Sequence, residues 1–177
     1  VTLMNENYAQ PDLPEGVNED LLKGCYRLSA APNHLAAGAQ RVTLMGSGAI
    51  LGEVIKAAAL LAEQGVAAEV FSVTSWSELS RDGLACELKA IDGLGTTAPF
   101  VQRQLESSKG PIIAATDYVR ALPESIRAYV PAGRKYLTLG TDGFGRSDTR
   151  QELRSFFRVD AVHIVKVALH AIGVPSS

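Results

Sequence analysis

Residues 41–73 read RVTLMGSGAILGEVIKAAALLAEQGVAAEVFSV, and their pattern sets the fold class. RVTLMG (41–46) is a short apolar strand pattern stopped by Gly46. Ser47 is placed to cap a helix, along which Ile50, Leu51, Val54, Ile55, Ala58, Leu61 and Ala62 recur at helical spacing. Gly65 closes the helix, and AAEVFSVTS (67–75) is a second strand. Strand, glycine turn, helix and strand within about thirty residues form the unit from which parallel sheets are built.

The rest of the chain repeats the alternation. TSWSELSRDG turns, LACELKAI reads as a short helix, and APFVQRQLES (98–107) as another. GPIIAATDY (110–118) is a buried strand, PESIRAYV (123–130) is helical, and KYLTLGT (135–141) is a fourth strand. Helices at about 149–157 and 160–172 follow, the last apolar around most of its circumference, which calls for a central position or another chain against it. The expected architecture is α/β, three layers, with helices on both faces of a mostly parallel sheet. Residues 1–40, with Pro11, Pro14, Pro32, Gly16 and Gly24, read as a linker holding one short ordered piece at 20–29. Residues 41–177 are then the domain proper. The opening VTLMNENYAQ, strand-like and without an initiator Met, reads as the inside of a longer polypeptide.

Composition narrows the functional classes. The 177 residues hold 19 acidic and 17 Lys or Arg side chains, a formal net charge of −2 that offers no basic face for nucleic acid. No apolar run approaches the roughly 18 residues of a membrane span, so no membrane partner is expected. No secretory signal pattern is present. Two cysteines, Cys25 and Cys86, stand in no metal or redox spacing, and a reducing cytoplasm is the expected location. Cys86 reads as core.

Two glycine-rich stretches carry the candidate chemistry. MGSGAILG (45–52), with glycines at 46, 48 and 52, has the form of a turn that presents backbone N–H groups to a pyrophosphate. A dinucleotide site also wants an acid at the end of the second strand, where this chain has serine and threonine in FSVTSWSEL. A tight turn is the alternative reading. LGTDGFGRSDTR (139–150) links the fourth strand to a helix, with Asp148 or Thr149 as cap, Gln151 or Glu152 as its partner, and Phe144 as an anchor in the core. The functional alternative places Arg146, with the neighbouring Ser147 and Asp148, against a carboxylate or phosphate of another domain or subunit. Glu78 and Asp82 read as a solvated face, His163 and His170 as a polar rim or an interface, and neither Ser47 nor Ser75 sits in a nucleophile elbow. No catalytic, cofactor-binding or metal-binding residue is assigned.

Taken together, TLMNENY, GSGAIL, VFSVTSWSELSRDG, TDYVRALPESIRAYVP and LGTDGFGRSDTRQELRSFF resemble the homodimeric pyruvate dehydrogenases of the transketolase superfamily. The superfamily's Phe-Gly-x-Ser element appears as Phe144, Gly145, Arg146 and Ser147. The resemblance covers nearly the whole chain and corresponds to a C-terminal domain with its preceding linker. It implies an enzyme that decarboxylates pyruvate and passes the acetyl unit to lipoyl on a dihydrolipoyl acetyltransferase component. It also implies a homodimer, with thiamine diphosphate and Mg²⁺ bound by upstream domains. A Gly-Asp-Gly followed by an Asn-Asn pair, the cofactor motif, is absent from this sequence, so a chain inert by itself is expected.

Overall fold

The structure, a computed structural model, describes residues 7–33, 35 and 38–174. The strand-like start at 1–6 and the end at 175–177 lie outside the described residues. Five strands form one sheet in the order β1-β3-β2-β4-β5. Four are parallel: β2 (Arg41–Gly46), β3 (Ala67–Val73), β4 (Ile112–Ala115) and β5 (Tyr136–Leu139). The fifth, β1 (Cys25–Ser29), runs antiparallel to β3 at one edge, following a short helix α1 (Asn18–Leu22). The piece read as locally ordered at 20–29 is thus part of the sheet, which begins upstream of residue 41. Its signal is short because only two consecutive residues, Cys25 and Tyr26, are buried, while Arg27 and Ser29 are exposed.

Strand side chains alternate between two cores, as the period of 2 requires. Val42, Leu44, Val70 and Ile113 face one side, against α2 (Ile50–Glu63) and α7 (Ala161–Ala171). Met45, Phe71, Ile112 and Tyr136 face the other, against α3 (Trp76–Ile91), α4 (Phe100–Leu105) and the turn following α5 (Ala121–Glu124). The expected three layers are present. The apolar last helix α7 lies against α2, with Ile164, Ala168 and Leu169 buried and Val162 exposed.

Where the sequence pointed to a turn and then a short helix, the structure has one continuous helix. α3 starts at Ser75, whose side chain accepts from the Glu78 N–H, and runs for 16 residues through Gly83. Gly83 is a packing residue: a Cβ there would lie 2.2 Å from the Tyr129 ring. The helical reading of 123–130 resolves into α5 and a separate 3-10 turn, Arg127–Tyr129. The last short helix, α6 (Arg150–Phe156), is capped by Thr149, whose side chain accepts from the Glu152 N–H at 3.3 Å.

Candidate functional site at the sheet's switch point

β3 lies on one side of β2 and β4 on the other. In open α/β sheets, the crevice beyond the C-terminal ends of two such diverging strands is where ligands bind. Gly46 ends β2 at the wall of this crevice, where a Cβ would come within 2.8 Å of Val54 Cγ2 and 3.1 Å of Leu51 Cα. The glycine therefore lets α2 press onto the strand. Ser47 is not the helix cap that its position suggested. Its hydroxyl donates to Thr116 Oγ1 at 2.8 Å and accepts from Trp76 Nε1 at 3.0 Å. α2 begins instead at Ala49, with no side-chain cap. A serine buried between two strand ends and an indole finds better partners there than on the helix terminus, because an indole N–H left unpaired in the core is costly.

The end of β3 supplies no carboxylate. Thr74 Oγ1 donates to the Leu21 carbonyl at 2.6 Å, and the Thr74 and Ser75 N–H groups donate to Gly24 O. The position where a dinucleotide site holds its ribose is taken up by the α1–β1 connection.

The 139–150 stretch divides into a bonded half and an exposed half. Gly140 sits so close to the segment after β4 that a Cβ would lie 2.7 Å from Arg120 N. Thr141 N–H donates to Tyr118 O at 2.9 Å, and Thr141 Oγ1 donates to Asp117 O. Asp142 accepts from Arg120 N–H at 2.9 Å. Beyond it, Gly143 at φ +93° turns the chain outward. Phe144, expected as a core anchor, is 96% exposed. Its two glycine neighbours leave no adjacent side chain to cover it. Arg146, Ser147 and Asp148 are exposed, and Asp148 accepts from Thr149 N–H at 2.7 Å. Arg146 lies over the Phe156 ring, 3.9 Å from its centroid.

Between the loop and α2 opens a cleft of about 360 Å³. Arg146, Arg150 and Arg154 form one wall, and Ile50, Leu153, Phe157 and Val159 supply apolar surface. The Tyr8 hydroxyl accepts from Arg150 at 2.7 Å and from Arg154 at 3.2 Å, which holds the two guanidiniums close together. Asp117, at the C-terminal end of β4, also lines the cleft. Its Oδ1 is buried and has no hydrogen-bond partner among the described residues. Sequence reading singled out Arg146 but not Asp117, Arg150, Arg154 or Tyr8. The usable signal was an aspartate at the end of a strand beside the switch point, together with arginines four residues apart.

Residues 24–160 match the family model described as the transketolase-like TK C-terminal domain. The chain belongs to this family. It is 46% identical over 176 residues to the pyruvate dehydrogenase E1 component of Pseudomonas aeruginosa, covering 98% of this chain and 20% of that protein. To the E1 component of Escherichia coli K12 it is 44% identical over 172 residues, covering 96% of this chain and 19% of the relative. The chain thus spans about a fifth of these relatives' length, and it is homologous to their C-terminal portion. Among solved structures, transketolase from Campylobacter jejuni aligns at a TM-score of 0.58 and 20% identity, over 89% of this chain and 20% of that one. A split-gene transketolase described as an inactive β4 tetramer aligns at 0.54 and 15% identity, over 87% and 44%. These two likenesses establish the fold.

The remaining polar candidates of this transketolase-like domain have structural partners. His163 Nδ1 lies 2.6 Å from Asp160, the cap of α7, and His170 is exposed. Glu78 pairs with Arg81 on the surface, but Asp82 accepts from Phe100 N–H at 2.5 Å and so ties α4 to α3. Cys86, read as core, is only partly buried. The fully buried thiol is Cys25, with burial and then Asp20 raising its pKa. Among the described residues no group of three or more His, Cys, Asp or Glu side chains could hold a metal ion. No chemical step is assigned to a metal or cofactor on this chain. No helix among the described residues is long and apolar enough to cross a membrane.

Proposed function

We propose that this chain serves as the C-terminal domain of a pyruvate dehydrogenase that decarboxylates pyruvate and acetylates the lipoyl group of a dihydrolipoyl acetyltransferase component. The observation carrying this reading is the 44–46% identity to E1 components along 96–98% of the chain, against 15–20% to the two transketolases. In this reading residues 1–40 connect to an upstream domain, and the cytoplasmic enzyme is a homodimer. Thiamine diphosphate and Mg²⁺ reside on the upstream domains. This domain contributes packing and docking surface rather than reacting groups, and the exposed Phe144, Arg146, Ser147 and Asp148 belong to that surface. The test is CO₂ release from carboxyl-labelled pyruvate by the full-length protein, with and without thiamine diphosphate and Mg²⁺. Cofactor-dependent release supports the reading; activity on ketose phosphates but not on pyruvate would overturn it. In the same protein, Arg146→Ala is expected to lower dimer stability or activity modestly, and wild-type values for both would remove Arg146 from the interface.

The competing reading, a dinucleotide-binding module built on Gly46, Gly48 and Gly52, loses support from the packing role of Gly46 and the bonded end of β3. Titration with NAD separates the two, because only a dinucleotide module would bind it tightly.

A further inference from the structure

Two features of the cleft between α2 and α6 bear on what it holds. The first is the Asp117 carboxylate, whose Oδ1 is buried without a hydrogen-bond donor among the described residues. An unmet buried acceptor is costly, more so for a charged group, so native proteins seldom keep one without a partner that completes it. Gly48 borders this oxygen: a Cβ there would sit 3.4 Å from it. The second is the cationic wall opposite. Arg150 and Arg154 converge on the Tyr8 hydroxyl, and Arg146 is steadied by the face of Phe156. Glu53 pairs with Arg154 at 3.2 Å. Asp117 and Arg146 line the same space, and Asp117 Oδ1 has no hydrogen-bond donor among the described residues. A guanidinium wall recognises a carboxylate or phosphate by paired N–H donors. A facing carboxylate repels a simple anion and demands a donor on the ligand.

We infer that the cleft is a binding site for a small organic anion, a phosphate or carboxylate, that also carries a hydroxyl or ammonium group. The anionic group meets the Arg146 guanidinium, the donor satisfies Asp117 Oδ1, and the carbon body lies on Ile50, Leu153 and Phe157. The volume of about 360 Å³ lies at the small end of ligand pockets and suits a compact metabolite. The site lies wholly within this chain and does not rest on the pyruvate dehydrogenase reading.

The experiment is calorimetric titration of the full-length protein with glycerol 3-phosphate, glycerate and inorganic phosphate, repeated on Arg146→Ala and Asp117→Asn variants checked for folding by circular dichroism. Glycerol 3-phosphate or glycerate should bind, and the tighter of the two identifies the anionic group. Arg146→Ala should weaken that ligand by about tenfold, the scale of one charge-assisted contact. Asp117→Asn should weaken it as well while leaving inorganic phosphate unchanged or tighter. The inference is overturned if neither hydroxylated anion binds, if inorganic phosphate binds as tightly as they do, or if binding is indifferent to both substitutions.

Discussion

The Glu53 carboxylate, buried on α2, meets the Arg154 guanidinium of α6 at 3.2 Å, and its second oxygen accepts the Ala161 N–H at the start of α7 at 3.1 Å. One side chain thereby joins three helices on one side of the sheet and fixes the back of the arginine wall. Lys56, one turn on, adds a more exposed partner at 2.9 Å.

Removing Glu53 leaves a mostly buried guanidinium without its charge partner and a buried N–H without its acceptor. Glu53→Ala is therefore expected to cost about 3 kcal/mol or more. Urea denaturation of single and double substitutions at Glu53 and Arg154 checks this. A single-variant loss below about 0.5 kcal/mol, the range of neutral surface changes, would show that the pair does not hold the helices together.

Ser47 stands between Trp76 and Thr116, and its loss strands the indole N–H in a site where Trp76 is 4% exposed. Ser47→Ala should lower stability by about 1–3 kcal/mol. Trp76 is the chain's single tryptophan, so its emission both follows the unfolding and reports the changed environment. An unchanged midpoint with unchanged emission would mean that the hydroxyl is dispensable.

On the opposite side of the sheet, Arg127 grips both oxygens of Glu124, at 2.6 and 2.7 Å. That hydrogen bonding, aided by Thr138, outweighs desolvation and holds the Glu124 carboxyl below its ordinary value. A depressed folded-state pKa means that the stabilisation is fully present above the unfolded value, about 4.3, and is lost as pH falls through the lower folded value. Melting temperatures of the wild type and Glu124→Gln should thus differ most at neutral pH and converge in acid. A gap that stays constant below pH 4 would assign the effect to packing rather than charge. Because Glu124 is about one-third exposed, solvent screening keeps the gap small.

The two thiols should differ in reactivity. Cys25 is fully buried and burial raises its pKa, whereas Cys86 on α3 is partly accessible. A maleimide followed by peptide mass spectrometry should modify Cys86 in the native protein and Cys25 only after denaturant is added. Fast native labelling of Cys25 would show that the β1 edge opens readily.

The alternation of strand and helix, and with it the layered parallel sheet, was legible in the sequence, because periods of 2 and 3.6 are local and repeat over many residues. So were a helix cap at Asp148 or Thr149, which the structure gives to Thr149, and the breaks at 46 and 65, which depend on chemistry within a few positions. Other features were not, because they depend on partners far along the chain. The turn read in TSWSELSRDG is the first half of a helix whose Gly83 packs on Tyr129, and Ser47 reads as a cap only until Trp76 and Thr116 give it better partners. β1 was hidden because an edge strand needs little pattern of its own, and its neighbour β3 lies some forty residues away. The candidate cleft shows the same division. The sequence determined that Arg146 follows a glycine-rich turn next to a helix. Only the tertiary structure decided that Asp117, Tyr8 and three arginines share one space, because the crossover that opens it is a property of strand order, which no local pattern encodes.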